Sequence, residues 1–296
     1  MQRERVSDGV YWFQSDVYAQ VTAGVIAGPQ WAVVIDTLPV PEETLKMRAF
    51  IEEQLKVPVQ YVINTHYHAD HAWGNCFFPG ATIISHKICR DLQIQLGPSS
   101  LEAAQKQDPL FRQIKLVYPH MTFNSGNMSL KVGKKNLVLF STPGHSEDGI
   151  SILIEEDRVL FAADAFLPVP YFVNGDIDEL IQTLKSFNDL GLENIVQGHG
   201  DIVLRGEIEN MIQENVDYLE CIKKKVRAAL KENYPKYAIQ NITIESCGKE
   251  RVTLGGLGNT LHTNNVSWLL NKYAEDEGIE LLEIPLEYMD DEIVDV

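Results

Sequence analysis

Apolar residues fall into short stretches over the first forty positions: "GVYWFQS", "VTAGVIAG" and "WAVVIDT", the last two separated by a turn at Gly28-Pro29. This pattern predicts β-structure. It changes at Pro41, where proline in a first turn followed by Glu42 and Glu43 predicts a helix to about Leu55. "VPVQYVINT" is rich in valine and isoleucine and reads as a buried strand ending at Asn64, and "ATIIS" reads as another. Helical but irregular spacing runs from His86 to about Leu116, with a break expected at Gly97-Pro98. Two strand pairs follow, "MSLKVG" with "NLVLFST" and "GISILIEE" with "RVLFAAD". A helix from Ile177 to Leu190, the strand "ENIVQ" and a long helix from Leu204 to about Lys231 complete the series, which "NYPKY" breaks. Hairpins with interspersed helices predict an α+β sandwich, helices outside, over residues 1–232. Residues 233–296 read as an appendage with one helix near Val266–Ala274.

Composition narrows the class. The chain has 296 residues, 45% hydrophobic and 23% charged, as expected of a soluble globular protein. No apolar run reaches the length of a membrane span. The N-terminal "MQRERVSDGVYWF" lacks the apolar core of a secretory signal, and Cys76, Cys89, Cys221 and Cys247 form no C-x-x-C pair. The expectation is a cytoplasmic protein with reduced thiols. The net charge of -17 is uneven: from Glu275 to the end there are ten acidic and no basic residues. A chain this acidic repels phosphate backbones, so the expected partner is a small-molecule substrate, with no nucleic acid and no membrane. The acidic tail mixes its charges with Ile, Leu and Val. It reads as a solvated extension, or as a segment docking on a partner subunit to give a homo-oligomer through the appendage.

The chemistry concentrates in "THYHADH", which holds three of the eight histidines. His66 and His68 stand two apart at the extended end of a strand, so their rings share a side. Asp70 and His71 follow after the chain turns. Packing four such groups together without a cation would strand polar atoms that need partners. His145 in "STPGHSEDG", Asp164 in "VLFAADAF" and His199 in "IVQGHGD" also sit just past strands, where one rim of a sandwich gathers them. Five imidazoles and two carboxylates suit two borderline divalent ions, Zn(II) first, with Fe(II) or Mn(II) as alternatives.

The run His66, His68, Asp70, His71, with His145, Asp164 and His199 following in order, resembles the metallo-β-lactamase superfamily over roughly residues 8–232. The resemblance implies a four-layer αβ/βα sandwich with the site on one edge between the sheets, here with a C-terminal extension. It places His66, His68 and His145 on one metal, Asp70, His71 and His199 on a second, and Asp164 between them. An aspartate at the bridging position is similar to the glyoxalase II and lactonase branch. His68, where flavodiiron proteins carry glutamate, argues against that redox group, and the acidic balance argues against the RNA- and DNA-cutting branches.

The chemistry this implies is hydrolysis of a small ester, lactone or thioester by a metal-bridging hydroxide, with side activity on β-lactams and Asp70 as the catalytic proton relay. A mononuclear iron persulfide dioxygenase-like oxidoreductase and a non-catalytic metal-bearing ligand-binding protein are the competing readings. For the substrate pocket the sequence offers Tyr171 and Phe172 in the apolar loop after Asp164, and His262 if the appendage folds back. Leu167 stands where lactonase-like sites carry a tyrosine. Asp36 is expected to hydrogen-bond behind the ligands, and Trp73 and Asn75 to brace the motif loop. Tyr67 should point away from the metals. The appendage offers Lys249 and Arg251 and then turns acidic, which disfavours a glutathione thioester.

Overall fold

Strand alternation sets the layers. The computed structural model describes residues 1–282. Seven strands form the first sheet in chain order: β1 (Gln2–Ser7), β2 (Val10–Gln14), β3 (Thr22–Ala27), β4 (Ala32–Ile35), β5 (Val59–Ile63), β6 (Thr82–His86) and β7 (Met121–Phe123). The second comprises β8 (Met128–Val132), β9 (Lys135–Ser141), β10 (Ile150–Ile154), β11 (Val159–Ala163), β12 (Asn194–Gln197) and β13 (Val203–Leu204), ordered from β13 across to β8. The helices are α1 (Pro41–Ala49), α2 (Ala69–Ala72), α3 (Lys87–Gln107), α4 (Ile177–Ser186), α5 (Ile208–Ala229), α6 (Pro235–Ala238) and α7 (Leu257–Glu277).

Successive residues of a strand face opposite ways, and here both ways are buried. Val33, Ile35, Ile63 and Ile84 of the first sheet meet Leu139, Ile152, Phe161 and Val196 of the second. Their neighbours Val34, Val62 and Ile83 pack outward with Met47, Phe50 and Ile51 of the first helical layer. On the far side, Leu160, Ala162 and Ile195 pack with Leu184, Leu219 and Leu269. The result is the four-layer sandwich that the sequence implied, with mixed sheets inside and helices outside.

Several local expectations change. The charged strand β1 carries no apolar alternation; main-chain pairing to β2 holds it at the sheet edge. The three-residue β7 pairs with β6, and its Phe123 packs against the inter-sheet cluster. The break expected at Gly97-Pro98 does not occur, because Pro98 lies exposed within α3, where losing one hydrogen bond on the solvent side is tolerated. Ser99 Oγ donates to the Leu96 carbonyl there. The first helix widens into a π-turn over Phe50–Leu55, closed by left-handed Lys56. The long helix begins at Ile208, since Val203–Leu204 is a strand, and α7 is much longer than the stretch near Val266–Ala274.

Residues after 232 also contribute to the interior: Leu269, Leu270 and Tyr273 of α7 share one apolar cluster with Tyr218, Leu219 and Ile222 of α5. Residues 283–296 of the acidic tail, with the docking role expected for it, lie outside the described residues. Among the described residues no helix is long and apolar enough to cross a membrane.

Phe161 packs directly across the sheet interface onto Gly24, its ring lying where a side chain on that glycine would have to go. Phe161→Ala should therefore lower unfolding free energy by roughly 3–5 kcal/mol in urea titrations; a loss below about 1 kcal/mol would show that the sheets do not depend on this contact.

Candidate metal centre

Parallel pairing brings the chemistry to one rim. β4 runs parallel to β5, and β11 parallel to β12; β9 and β11 are both antiparallel to β10, so they share a direction. Asp36 follows β4, the "THYHADH" segment follows β5, His145 lies in the loop after β9, Asp164 follows β11 and His199 follows β12. Side chains far apart in sequence thus leave the same ends of neighbouring strands. Two of these exits are strained. Asp36 (φ 57) and Ala163 (φ 46) are left-handed without being glycine, and the β11–β12 register slips between Phe161 and Ala163, re-aiming the next residue, Asp164.

The ligand-bearing atoms converge in two groups. His66, His68, His145 and Asp164 form one; Asp70, His71 and His199 form the other, with atoms in each group within 4.8 Å of one another. His68 Nδ1 lies 2.9 Å from His66 Nε2 and 3.0 Å from His145 Nε2. Asp164 stands between the groups: Oδ2 is 3.3 Å from His145 Nε2 and 3.8 Å from His66 Nε2, while Oδ1 is 3.2 Å from His71 Nε2. Asp70 Oδ2 lies 3.4 Å from His199 Nε2.

What each ring does with its other nitrogen determines what it offers inward. His145 Nδ1 donates to the Tyr171 carbonyl at 2.7 Å, and His199 Nδ1 to the Ala19 carbonyl at 2.8 Å. His71 Nδ1 donates to Asp36 Oδ2 at 2.8 Å. Thr65 Oγ1 already donates to Asp36, so it accepts from His66 Nδ1 at 3.0 Å. In these four rings Nδ1 carries its proton outward and Nε2 points in. His68 is reversed: its Nε2 turns outward and accepts from the Asn174 amide nitrogen at 3.1 Å, which leaves the proton on the inward Nδ1. That proton stands between the lone pairs of His66 Nε2 and His145 Nε2, and a cation in its place would take all three nitrogens. Buried His71 Nε2 and Asp164 Oδ1 face each other at 3.2 Å without hydrogen-bond geometry. The donor set therefore fits metal ions.

Charge follows the same logic. Burial, helped by neighbouring His71, holds His66 well below its ordinary range, and burial with His145 pushes His68 down to about 3. Both rings offer neutral nitrogens; on His71 and His199 burial opposes charge too, but Asp164 outweighs it and raises both, so a cation would displace a proton there. Burial opposes charge on Asp164, but His71, His199 and His145 outweigh it and keep the carboxylate ionised. Asp36 is raised by burial against the pull of His71 and Thr65.

Asp36 takes the place expected of it behind the ligands, accepting also from the Thr65 backbone N–H at 2.9 Å. Asn75 braces the motif loop by reciprocal amide bonds with Asn64 (3.0 and 2.9 Å) and by donating to the Val117 carbonyl. Tyr67 lies beside His68, ring centroids 4.3 Å apart, at the half-open mouth formed by His68 and Asp70. Tyr171 is half-buried with its ring 6.0 Å from that of His145.

Two residues proposed for the pocket lie elsewhere. Phe172 is fully buried, edge-on to Trp268, because its side chain turns into the helical layer. His262 does not fold over the metals; it is buried between the Tyr218 hydroxyl and the Ile242 carbonyl. The sequence reading missed Tyr18, whose acidity burial and nearby Asp70 reduce, and Asn174 against His68. It also missed the 15–21 turn that grips His199. Nothing local marks these residues, since each acts on a ligand from a distant segment.

The family model for the metallo-beta-lactamase superfamily matches residues 18–199, and the chain belongs to that superfamily. With both ligand groups in place it is a metal-dependent hydrolase by class. It is 24% identical over 226 residues to a Caenorhabditis elegans beta-lactamase-like protein 2 homolog, covering 75% of this chain and 67% of that protein. It is 24% identical over 202 residues to the thioesterase pkgB of Emericella nidulans, covering 68% of this chain and 48% of that protein. The chain thus spans from about half to two thirds of these relatives' own length. A metallo-beta-lactamase family protein from Thermus thermophilus shares the fold over 93% of this chain and 95% of its own, with TM-score 0.67 and 18% identity.

A Cβ on Gly198 would fall 1.8 Å from Asp164 Oδ1, so only glycine lets the β12 exit pass behind that carboxylate. Gly198→Ala should leave a folded protein by circular dichroism that has lost at least one tightly bound ion in elemental analysis. Metal content equal to the parent's would contradict this placement of Asp164.

Proposed function

We propose that the chain is a binuclear hydrolase of small acyl substrates, opening a thioester, ester or lactone. One observation carries this reading: Asp164 stands between the two ligand groups, with Oδ2 3.3 Å from His145 Nε2 and 3.7 Å from His199 Nε2, and Oδ1 3.2 Å from His71 Nε2. His66, His68 and His145 would hold one ion, Asp70, His71 and His199 the other, and Asp164 would span them. Five imidazoles with two carboxylates favour Zn(II). Two such ions supply a water of near-neutral acidity and a Lewis-acidic contact for a carbonyl oxygen.

The chain's own residues supply the rest. Burial opposes charge on Asp70, but His71 and His199 hold its carboxylate below the ordinary range, so it is ionised at neutral pH. Half-open at the mouth and beside His199, Asp70 is placed to accept a proton and return it to a leaving group. The side chains named around the mouth are phenols and an amide. Burial, followed by Asp148, pushes Tyr67 up to about 12, so its hydroxyl stays a donor. Phenols beside an exposed Glu147 suit an uncharged acyl group better than a glutathione conjugate, whose carboxylates that glutamate would repel. The two cations suited to meeting such a conjugate are engaged elsewhere: Arg251 pairs with Glu245, and Lys249 is buried with Glu214 at 4.0 Å. The resemblance to a thioesterase supports a thioester as the first substrate to try.

Purified protein should carry about two ions per chain and hydrolyse at least one member of a panel of thioesters, esters and lactones. His68→Ala should lower kcat/KM by roughly 100-fold or more and weaken one ion. Oxygen uptake with a persulfide, or two tightly held ions without any hydrolysis across the panel, would contradict the proposal.

A further inference from the structure

The buried faces of α5 and α7 are apolar stripes at helical spacing, yet each carries polar residues. Asn215, Tyr218, Leu219, Ile222 and Val226 form one stripe; His262, Asn265, Val266, Leu269 and Tyr273 form the other. Asn215, Tyr218, His262 and Asn265 are all essentially inaccessible to solvent. Polar groups survive there only if their hydrogen bonds close.

Except at Asn215 Oδ1, which has no partner, they close with a single polarity. His262 Nε2 is 2.7 Å from the Ile242 carbonyl, so it carries the proton and donates. Nδ1 is then an acceptor, and burial, which lowers this imidazole's basicity, keeps it neutral. The Tyr218 hydroxyl donates to it at 3.1 Å. That leaves the Tyr218 oxygen to accept from Asn265 Nδ2 at 3.3 Å. The second hydrogen of the same amide goes to the Pro170 carbonyl at 2.7 Å, and Asn265 Oδ1 accepts the Phe172 backbone N–H at 3.3 Å. Asn265 therefore holds the backbone on both sides of Tyr171, the residue whose carbonyl takes the His145 Nδ1 proton. Asn215 Nδ2 fixes the same loop upstream by donating to the Leu167 carbonyl at 3.0 Å.

We propose that Asn265 is a positioning residue for His145, setting that ligand's tautomer and aim through the backbone of residues 170–172, with Tyr218 and His262 orienting its amide. The inference rests on the metal-centre reading above. It gives α7 a role beyond packing: a residue 120 positions from His145 in sequence decides which nitrogen of that ring faces the metal. Only one of the two ligand groups contains His145. Loss of the clamp should therefore be felt unequally by the two ions, whereas a general loosening of the helical layer would weaken both.

Asn265→Asp keeps the size and one acceptor but removes both amide hydrogens. Tyr218→Phe removes only the hydroxyl that orients the amide. Two zinc affinities would be measured for the parent and each variant by competition with a chromophoric chelator, alongside thermal melting, and the ions assigned by which one His68→Ala removes. Asn265→Asp should weaken that ion by about 10–100-fold, leave the other within about threefold, and lower kcat more than it changes KM. Tyr218→Phe should weaken the same ion by a smaller factor and decides the matter if Asn265→Asp does not fold. Equal weakening of both ions, or of neither, overturns the proposal. A parent protein that fails to bind two ions overturns the metal-centre reading instead.

Discussion

The centre depends on where its protons sit. Five imidazoles share a space in which neighbouring nitrogens lie about 3 Å apart, and a proton on any inward nitrogen occupies the position of a cation. The protein sets the outer protons from behind. A hydroxyl, a carboxylate and two backbone carbonyls hold the outer hydrogens of His66, His71, His145 and His199, and only His68 is turned the other way, toward Asn174. Burial reinforces the arrangement by making a charged His66 or His68 costly. A divalent ion then replaces several protons at once, and the carboxylates of Asp164 and Asp70 compensate its charge.

The sandwich exists, functionally, to bring those outer partners into register. Asp36 and Thr65 leave adjacent parallel strands, so one carboxylate can take the Thr65 N–H, its hydroxyl and the His71 ring together. Asp164 and the His199 segment likewise leave adjacent parallel strands, with Gly198 permitting the close pass. The two sheets are locked by apolar side chains that alternate along the inner strands, and that rigidity holds ligand atoms from separate sheets at ångström precision. The helical layer is part of the same device, because the loop that carries Tyr171 is pinned from α5 and α7 rather than from either sheet.

The features legible in the sequence were those whose cause is local. The strands with buried faces show as apolar runs, and the ligand residues show as imidazoles and carboxylates just past strand ends. β1 could not be read, because a charged edge strand is specified by main-chain pairing to its neighbour rather than by an apolar pattern of its own. The continuation of α3 through Pro98 depends on which side of the helix is wet, which no local pattern states. In the loop after Asp164 nearly every residue is apolar, so nothing in its spacing says that Tyr171 stays half-buried at the mouth while Phe172 turns into the core. His262 is the most instructive case. A histidine among glycines and asparagines invites a role at the pocket, yet its position in the α7 stripe, three residues before Asn265, is the signal of a buried polar network. That reading needs the helix boundaries, and the helix proved longer than expected.

The most direct measurement is the tautomer of each histidine, read from two-dimensional 15N–1H correlations of the metal-loaded protein with 15N-labelled histidine. The account predicts His66, His71, His145 and His199 protonated at Nδ1 with Nε2 bound, and His68 alone protonated at Nε2. A spectrum in which His68 matches the other four, or in which His145 carries its proton at Nε2, would contradict it.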